Sequence, residues 1–126
     1  MITALHSLVY AEDPEAARAF FRDVLLLPHV DTGGGWLIFK TGPSELGVHP
    51  SRWEHEGQRG GTDQRYDVSL VCDDLAATMA ELAGRGATFA GAPVQQEWGT
   101  TVDLVVPGAR PIMLYQPRYD PPALLP

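Results

Sequence analysis

The feature that most constrains this chain is a strand–acid–helix segment that occurs twice. From Ala4 to Leu27 the order is ALHSLVYAEDPEAARAFFRDVLLL. His6, Leu8 and Tyr10 alternate with Ser7 and Val9, which is strand spacing. Asp13 and Pro14 follow. A carboxylate at the N-cap accepts the first unbonded amide protons of a helix. Proline at the first helical position gives up a donor that has no partner there. Ala17, Phe21 and Leu25 lie beside Phe20, Val24 and Leu27 in one broad apolar stripe, with Arg18, Arg22 and Asp23 outside it. The pattern predicts a helix, running toward Leu27, that lies on a sheet.

The looser copy starts at Tyr66 and reads YDVSLVCDDLAATMAELAGRGA. Asp74 takes the place of Asp13 as cap, Leu75, Met79 and Leu82 recur at helical spacing, and Gly84 and Gly86 close the helix. Two alignments of the copies compete. Matching the caps gives an offset of 61 and sets His6 opposite Asp67; matching the Ser-Leu-Val strings gives 62 and sets His6 opposite Val68. The caps are preferred, because a helix start is a geometric landmark and a three-residue apolar string recurs by chance. A one-residue slip would turn every side chain to the other face.

Around these helices the chain reads as short strands and turns. Pro28 stops the first helix, and Gly33 to Gly35 make a turn. Trp36–Thr41 and Glu45–His49 read as strands, the second ended by Pro50. The stretch SRWEHEGQRGGTDQR is polar and without period, and is expected to be an exposed, mobile linker over residues 51–65. It separates a first module, residues 1–50, from a second, residues 66–117. In the second, short strands are expected at Thr88–Phe89 and Val94–Trp98. Thr100–Val106 follows, with Val102, Leu104 and Val106 on one face, and Arg110–Gln116 is its hairpin partner. Pro111 suits an edge or the start of a strand. The tail, residues 118–126, is proline-rich and without period. Two strand-helix-strand-strand-strand units predict an α+β chain of open, curved, mixed sheets around a cup lined by both.

Composition narrows the function. At 126 residues the chain is one structural unit, and 44% apolar residues suffice for a packed interior. A net charge of −7 argues against nucleic acid as partner and favours a cationic or neutral small ligand. The one cysteine, Cys72, excludes an internal disulfide and reads as a plain buried thiol. The start MITALHSLVY lacks the pattern of a signal peptide and no run reaches membrane-spanning length, so a cytoplasmic chain without membrane contact is expected.

The segments LHSLVYAEDPEAARAFFRDVLLLP, WLIFKTGPSELGVHP and VSLVCDDLAATMAELAGRGA resemble the vicinal oxygen chelate superfamily, which includes glyoxalase I, bleomycin-resistance proteins and extradiol dioxygenases. Where that family usually has Leu-Gly-Leu, this chain has Leu25, Leu26 and Leu27. The resemblance implies two βαβββ modules, a homodimer and a ligand cavity in each cup. Its metal enzymes place ligands at four strand positions, which here carry His6, His49, Asp67 and Met113. Histidine at the first matches the family; at the second it replaces a glutamate. Asp67 departs from the usual histidine, and Met113 stands where a carboxylate is expected.

Two function classes follow. Two imidazoles and a carboxylate suit a divalent ion such as iron, manganese, nickel or zinc, so His6, His49 and Asp67 would serve a lyase or dioxygenase type of enzyme. Methionine cannot take a proton, so the base a glyoxalase-type isomerisation needs is missing at Met113; Glu45 shares a face with His49 but reads as solvated. The leading expectation is therefore sequestration of a small organic ligand, with Trp36, Phe39, Trp98, Met113 and Tyr115 as its apolar and aromatic walls. Trp53 reads as a loop anchor, and His29 and His55 as surface residues.

Overall fold

The computed structural model describes residues 7, 9, 11–42, 44, 52–64 and 67–118. Helix α1 spans Pro14–Asp23. Strands β1 (His29–Asp31) and β2 (Leu37–Phe39) pair antiparallel, as do β3 (Arg52–His55) and β4 (Gln58–Gly61). Strand β5 (Ser69–Val71) leads to helix α2 (Leu75–Gly84), then to β6 (Val94–Gln95), β7 (Gly99–Leu104) and β8 (Ile112–Pro117). These last strands make one mixed sheet in the order β5-β8-β7-β6, with β5 parallel to β8 and the other neighbours antiparallel. The architecture is α+β with open sheets, as the residue pattern implies.

Both caps form. The Ala16 amide donates to Asp13 Oδ1 at 3.0 Å, and the Ala77 amide to Asp74 Oδ1 at 2.9 Å. The helices start at Pro14 and Leu75 and each has ten residues, so the offset of 61 is the one the helix starts follow. Helix α1 ends earlier than its apolar stripe. Val24 is the C-cap, and Leu26 turns to a positive φ of 56°.

One core joins the helices to the four-stranded sheet. Ala17 and Phe20 of α1 and Leu75 and Leu82 of α2 are buried with Val102, Leu104, Ile112 and Leu114. Val102 faces Leu114 and Leu104 faces Ile112 across β7 and β8, so one face of the hairpin is continuous apolar surface. Each such side chain contributes about 1.5–3 kcal/mol when taken out of water. Pro111 precedes β8, which lies inside the sheet; its missing amide thus costs no ladder bond there.

Two expectations are corrected. The polar stretch after residue 51 is not irregular, because β3 and β4 form a hairpin closed at Glu56 and Gly57, both with positive φ. Such turns match strand twist, and a hairpin with Trp53 as its one apolar residue leaves no apolar alternation to read. The segment after Pro28, read as turn, holds β1, and His29 of that strand is exposed as expected. The strand expected at Trp36–Thr41 shrinks to β2. Those expected before Ala11 and at Glu45–His49, and the tail beyond Arg118, lie outside the described residues.

Candidate functional site

Strand parity gives the four-stranded sheet a second face, turned away from the helices. Ser69, Met113 and Asp103 stand in one cross-strand row, and Val71, Tyr115, Thr101 and Val94 in the next. The turn after β6 places Trp98 beside that second row, its ring edge-on to Tyr115 with centroids 5.1 Å apart and planes at 82°. Edge-to-face contact of this kind is a favoured aromatic geometry. Tyr115 and Thr101 are each only 8% exposed, whereas Trp98 is 41%, Val71 43% and Val94 52% exposed. The face thus has a closed aromatic centre and an open apolar margin. Met113 is half-buried beside it.

Arg118 holds the Trp98 turn. Its amide donates to the Trp98 carbonyl at 2.9 Å, and its guanidinium donates to the Gln96 carbonyl and to Gln95 Oε1. The other side of the sheet serves the helices. Gln116 Oε1 accepts the Leu75 amide at 2.8 Å, so β8 holds the start of α2. Cys72 continues the β5 line, its amide donating to the Tyr115 carbonyl at 2.9 Å. Burial pushes the Cys72 thiol up, and the charges of Asp73 and Asp74 push it the same way against a hydrogen bond with Thr78. A thiol so placed is a poor nucleophile.

Of the five expected wall residues, the structure brings together Trp98, Met113 and Tyr115. Phe39 faces α1, with its ring 5.5 Å from that of Phe21 and 5.6 Å from that of His29. Trp36 is 67% exposed at the β1–β2 turn, with the Arg18 guanidinium 4.6 Å above its ring. In the same hairpin the open side belongs to Val30 and Ile38, which pair with each other and are exposed. Aromatic content drew attention to Phe39, but alternation assigns its neighbour Ile38 to the open side. Ser69, Val71, Thr101 and Asp103 were missed as members of the open face. The signal was present: the alternation that puts Val102 and Leu104 in the core puts Thr101 and Asp103 opposite.

Asp67 precedes β5 by two residues, is exposed, and accepts the Val68 amide on its own Oδ1 at 2.8 Å. His6 and His49 lie outside the described residues. Among the described residues no three histidine, cysteine or acidic side chains are grouped as a metal would need. The thioether of Met113 is a soft donor, unlike the carboxylate expected there for iron or manganese.

Two hollows lie elsewhere. One of about 650 Å³ sits against β3 and β4, lined by Arg52, Glu54 and Arg59–Asp63. Its walls are polar and Arg52 is held by Asp63 and by the Thr62 carbonyl, both at 2.9 Å, so it lacks the apolar enclosure of a ligand site. The other, about 260 Å³, lies between α1 and the Gly86–Thr88 turn. Neither coincides with the Trp98–Tyr115 face. Among the described residues no helix is long and apolar enough to cross a membrane.

No family model matches the chain. The chain is 26% identical over 101 residues to YetH of Bacillus subtilis, covering 75% of this chain and 81% of that protein. Three solved structures align over most of its length. A lactoylglutathione lyase from Agrobacterium tumefaciens matches at a TM-score of 0.60 and 21% identity, over 90% of this chain and 92% of that one. A member of the glyoxalase/bleomycin resistance protein/dioxygenase superfamily from Sphaerobacter thermophilus matches at 0.59 and 24%, over 91% and 98%. TnmS3, an antibiotic binding protein from Streptomyces, matches at 0.53 and 20%, over 92% and 99%.

Proposed function

We propose that this chain, which has the vicinal oxygen chelate fold, binds a small organic molecule on the helix-free face of its four-stranded sheet and acts by sequestration. The observation that carries the reading is the Trp98–Tyr115 pair, an aromatic centre with apolar residues left open around it. An apolar margin of this kind on a sheet face needs a cover, and a flat ligand supplies one. Met113 beside it adapts to ligand shape. The likeness to an antibiotic-binding protein of the same fold adds support. A fold alone fixes no chemistry, so the weight rests on the face. The homodimer implied by the resemblance belongs to the same proposal, with the first half of one chain or its partner completing the cup.

Titration with acridine, a flat neutral probe at alkaline pH, tests the reading through the quenching of probe fluorescence. Saturable one-to-one binding is expected, weakened about tenfold in Trp98→Ala by loss of aromatic contact area. Absence of saturable binding, or the same affinity in the variant, would overturn it. Light scattering on the eluting protein gives the chain count in the same preparation.

A further inference from the structure

Trp98 stands at the margin of the open face on a segment that the core does not hold. β6 has two residues and meets β7 at two register positions. Every residue from Gly91 to Trp98 is exposed, so no side chain of this stretch is seated in the apolar interior. Short edge segments without buried side chains lie at the low end of local stability. Yet the Trp98 ring rests edge-on against Tyr115. Contacts other than burial have to keep it there.

The end of β8 supplies them in two ways. Gly99 is buried opposite Pro117, and a Cβ on it would stand 2.5 Å from the Gln116 carbonyl oxygen and 3.2 Å from Pro117 Cα. Only glycine lets the residue after Trp98 come this close to the β8 backbone. Arg118, one residue past β8, then reaches back along the turn. Its amide donates to the Trp98 carbonyl at 2.9 Å. Its guanidinium donates to the Gln96 carbonyl, to the Glu97 carbonyl at 3.4 Å and to Gln95 Oε1. Arg118 thus meets each of the four consecutive residues from Gln95 to Trp98. A planar guanidinium suits this task, because its donors are fixed in one fork. Two internal bonds stiffen what it grips: the Gln96 amide donates to the Gly99 carbonyl at 2.8 Å, and the Thr100 hydroxyl donates to Gln95 Oε1 at 3.1 Å.

We propose that Arg118 is the positioning residue of the aromatic face. It acts through Trp98. By clamping the turn onto the end of β8 it fixes the ring beside Tyr115 before a ligand arrives, so the turn need not be ordered at the moment of binding. The inference rests on the binding reading given above and assigns that site the residue that sets its shape. Arg118 is itself exposed, so removal of its side chain takes nothing from the apolar core. Its amide bond to the Trp98 carbonyl and the close approach at Gly99 do not depend on that side chain. The expected effect is therefore a loosened ring in an intact fold.

The test uses the full chain carrying Trp36→Phe and Trp53→Phe, which leaves Trp98 as the one tryptophan of three. When Arg118→Ala is added, the fluorescence anisotropy of Trp98 in the unliganded protein should gain a nanosecond decay component. Neutral acridine at alkaline pH should bind about threefold more weakly. The double variant Trp98→Ala/Arg118→Ala should bind acridine as Trp98→Ala does, since a residue that works through Trp98 then has nothing to act on. The melting midpoint of Arg118→Ala should stay within about 3 °C of the parent, which separates a loosened turn from a lost fold. Arg118→Lys, whose ammonium cannot span the same acceptors at once, should change both readouts in the same direction by less, and serves in place of the alanine variant if that one unfolds. An unchanged anisotropy decay, an unchanged acridine affinity, or a further loss in the double variant beyond Trp98→Ala overturns the role of Arg118 and leaves the aromatic face intact. Absence of saturable acridine binding by the parent overturns the binding reading and this role with it.

Discussion

α1 and α2 are each ten residues long and each begin on an aspartate whose Oδ1 accepts an amide three residues on, yet they leave the helix differently. α2 ends as C-terminal glycines usually arrange it. The Gly86 amide donates to the Ala83 carbonyl and the Ala87 amide to that of Leu82, both at 3.0 Å, with Gly86 at φ +95°. At the end of α1 the left-handed residue is Leu26, at φ +56°, and the Leu27 amide returns to the Phe21 carbonyl at 3.1 Å. The side chain of Leu26 is well exposed, so packing gives little back for that conformation. The two ends meet, because Arg85 Nε donates to the Val24 carbonyl at 2.6 Å. The comparison teaches that a repeated helix start can survive where the helix end has diverged, and that the ends are tied to each other across the repeat.

The starts also differ in what holds them. The first amide of α2 is met by Gln116 Oε1, a side chain of β8. α1 is held by backbone: the Asp13 amide donates to the Gly108 carbonyl at 3.0 Å, and Ala11 bridges to Ala109. Both helices are therefore set by the β7–β8 hairpin, one at its loop and one along its strand. That hairpin also carries the aromatic face, so the part of the molecule that organises the fold is the part proposed to bind.

The hardest test of this arrangement is Gly108→Ala. A Cβ there would stand 2.7 Å from both Cβ and O of Asp13, and φ is +76°. The expected loss is about 2–3 kcal/mol in denaturant-induced unfolding. Gly42→Ala is the control, with φ +75° and nothing within 4 Å, and should lose about 1 kcal/mol. Equal losses would mean that the seat of α1 on Gly108 contributes nothing. Next in size are the caps. Asp13→Ala and Asp74→Ala should each lower stability by about 1 kcal/mol. If only Asp74→Ala does so, the equivalence of the two starts is geometric and not energetic. The smallest effect is expected of Leu26→Gly, a net gain of about 0.5 kcal/mol, because relief of the left-handed leucine is partly offset by a freer unfolded chain. A loss in that variant, read from the thermal midpoint, would show that Leu26 packs against something that matters.

Much of the fold was legible because it rests on local chemistry. Asp13–Pro14 and Asp74–Leu75 fix helix starts through hydrogen bonds within three residues, and the TTVDLVV alternation fixes a strand face. What was not legible depended on partners far along the chain. β3 and β4 hold a single apolar side chain, Trp53, among charged and polar residues and glycines, so their pairing left no apolar period to detect. Of the expected walls, Trp98 and Tyr115 meet because the β6–β7 turn and β8 bring them side by side, whereas Phe39 is one residue off the open side of its strand.

The order of residues by itself determined where the helices begin, 61 residues apart, and which side of β7 is core. Those are consequences of capping and of side-chain period, both of which act over a few residues. Tertiary structure decided which aromatic rings share a face and that one hairpin seats both helices. Cross-strand register sets each of these, and register is fixed by the packing of the whole core, where no short stretch of sequence can express it.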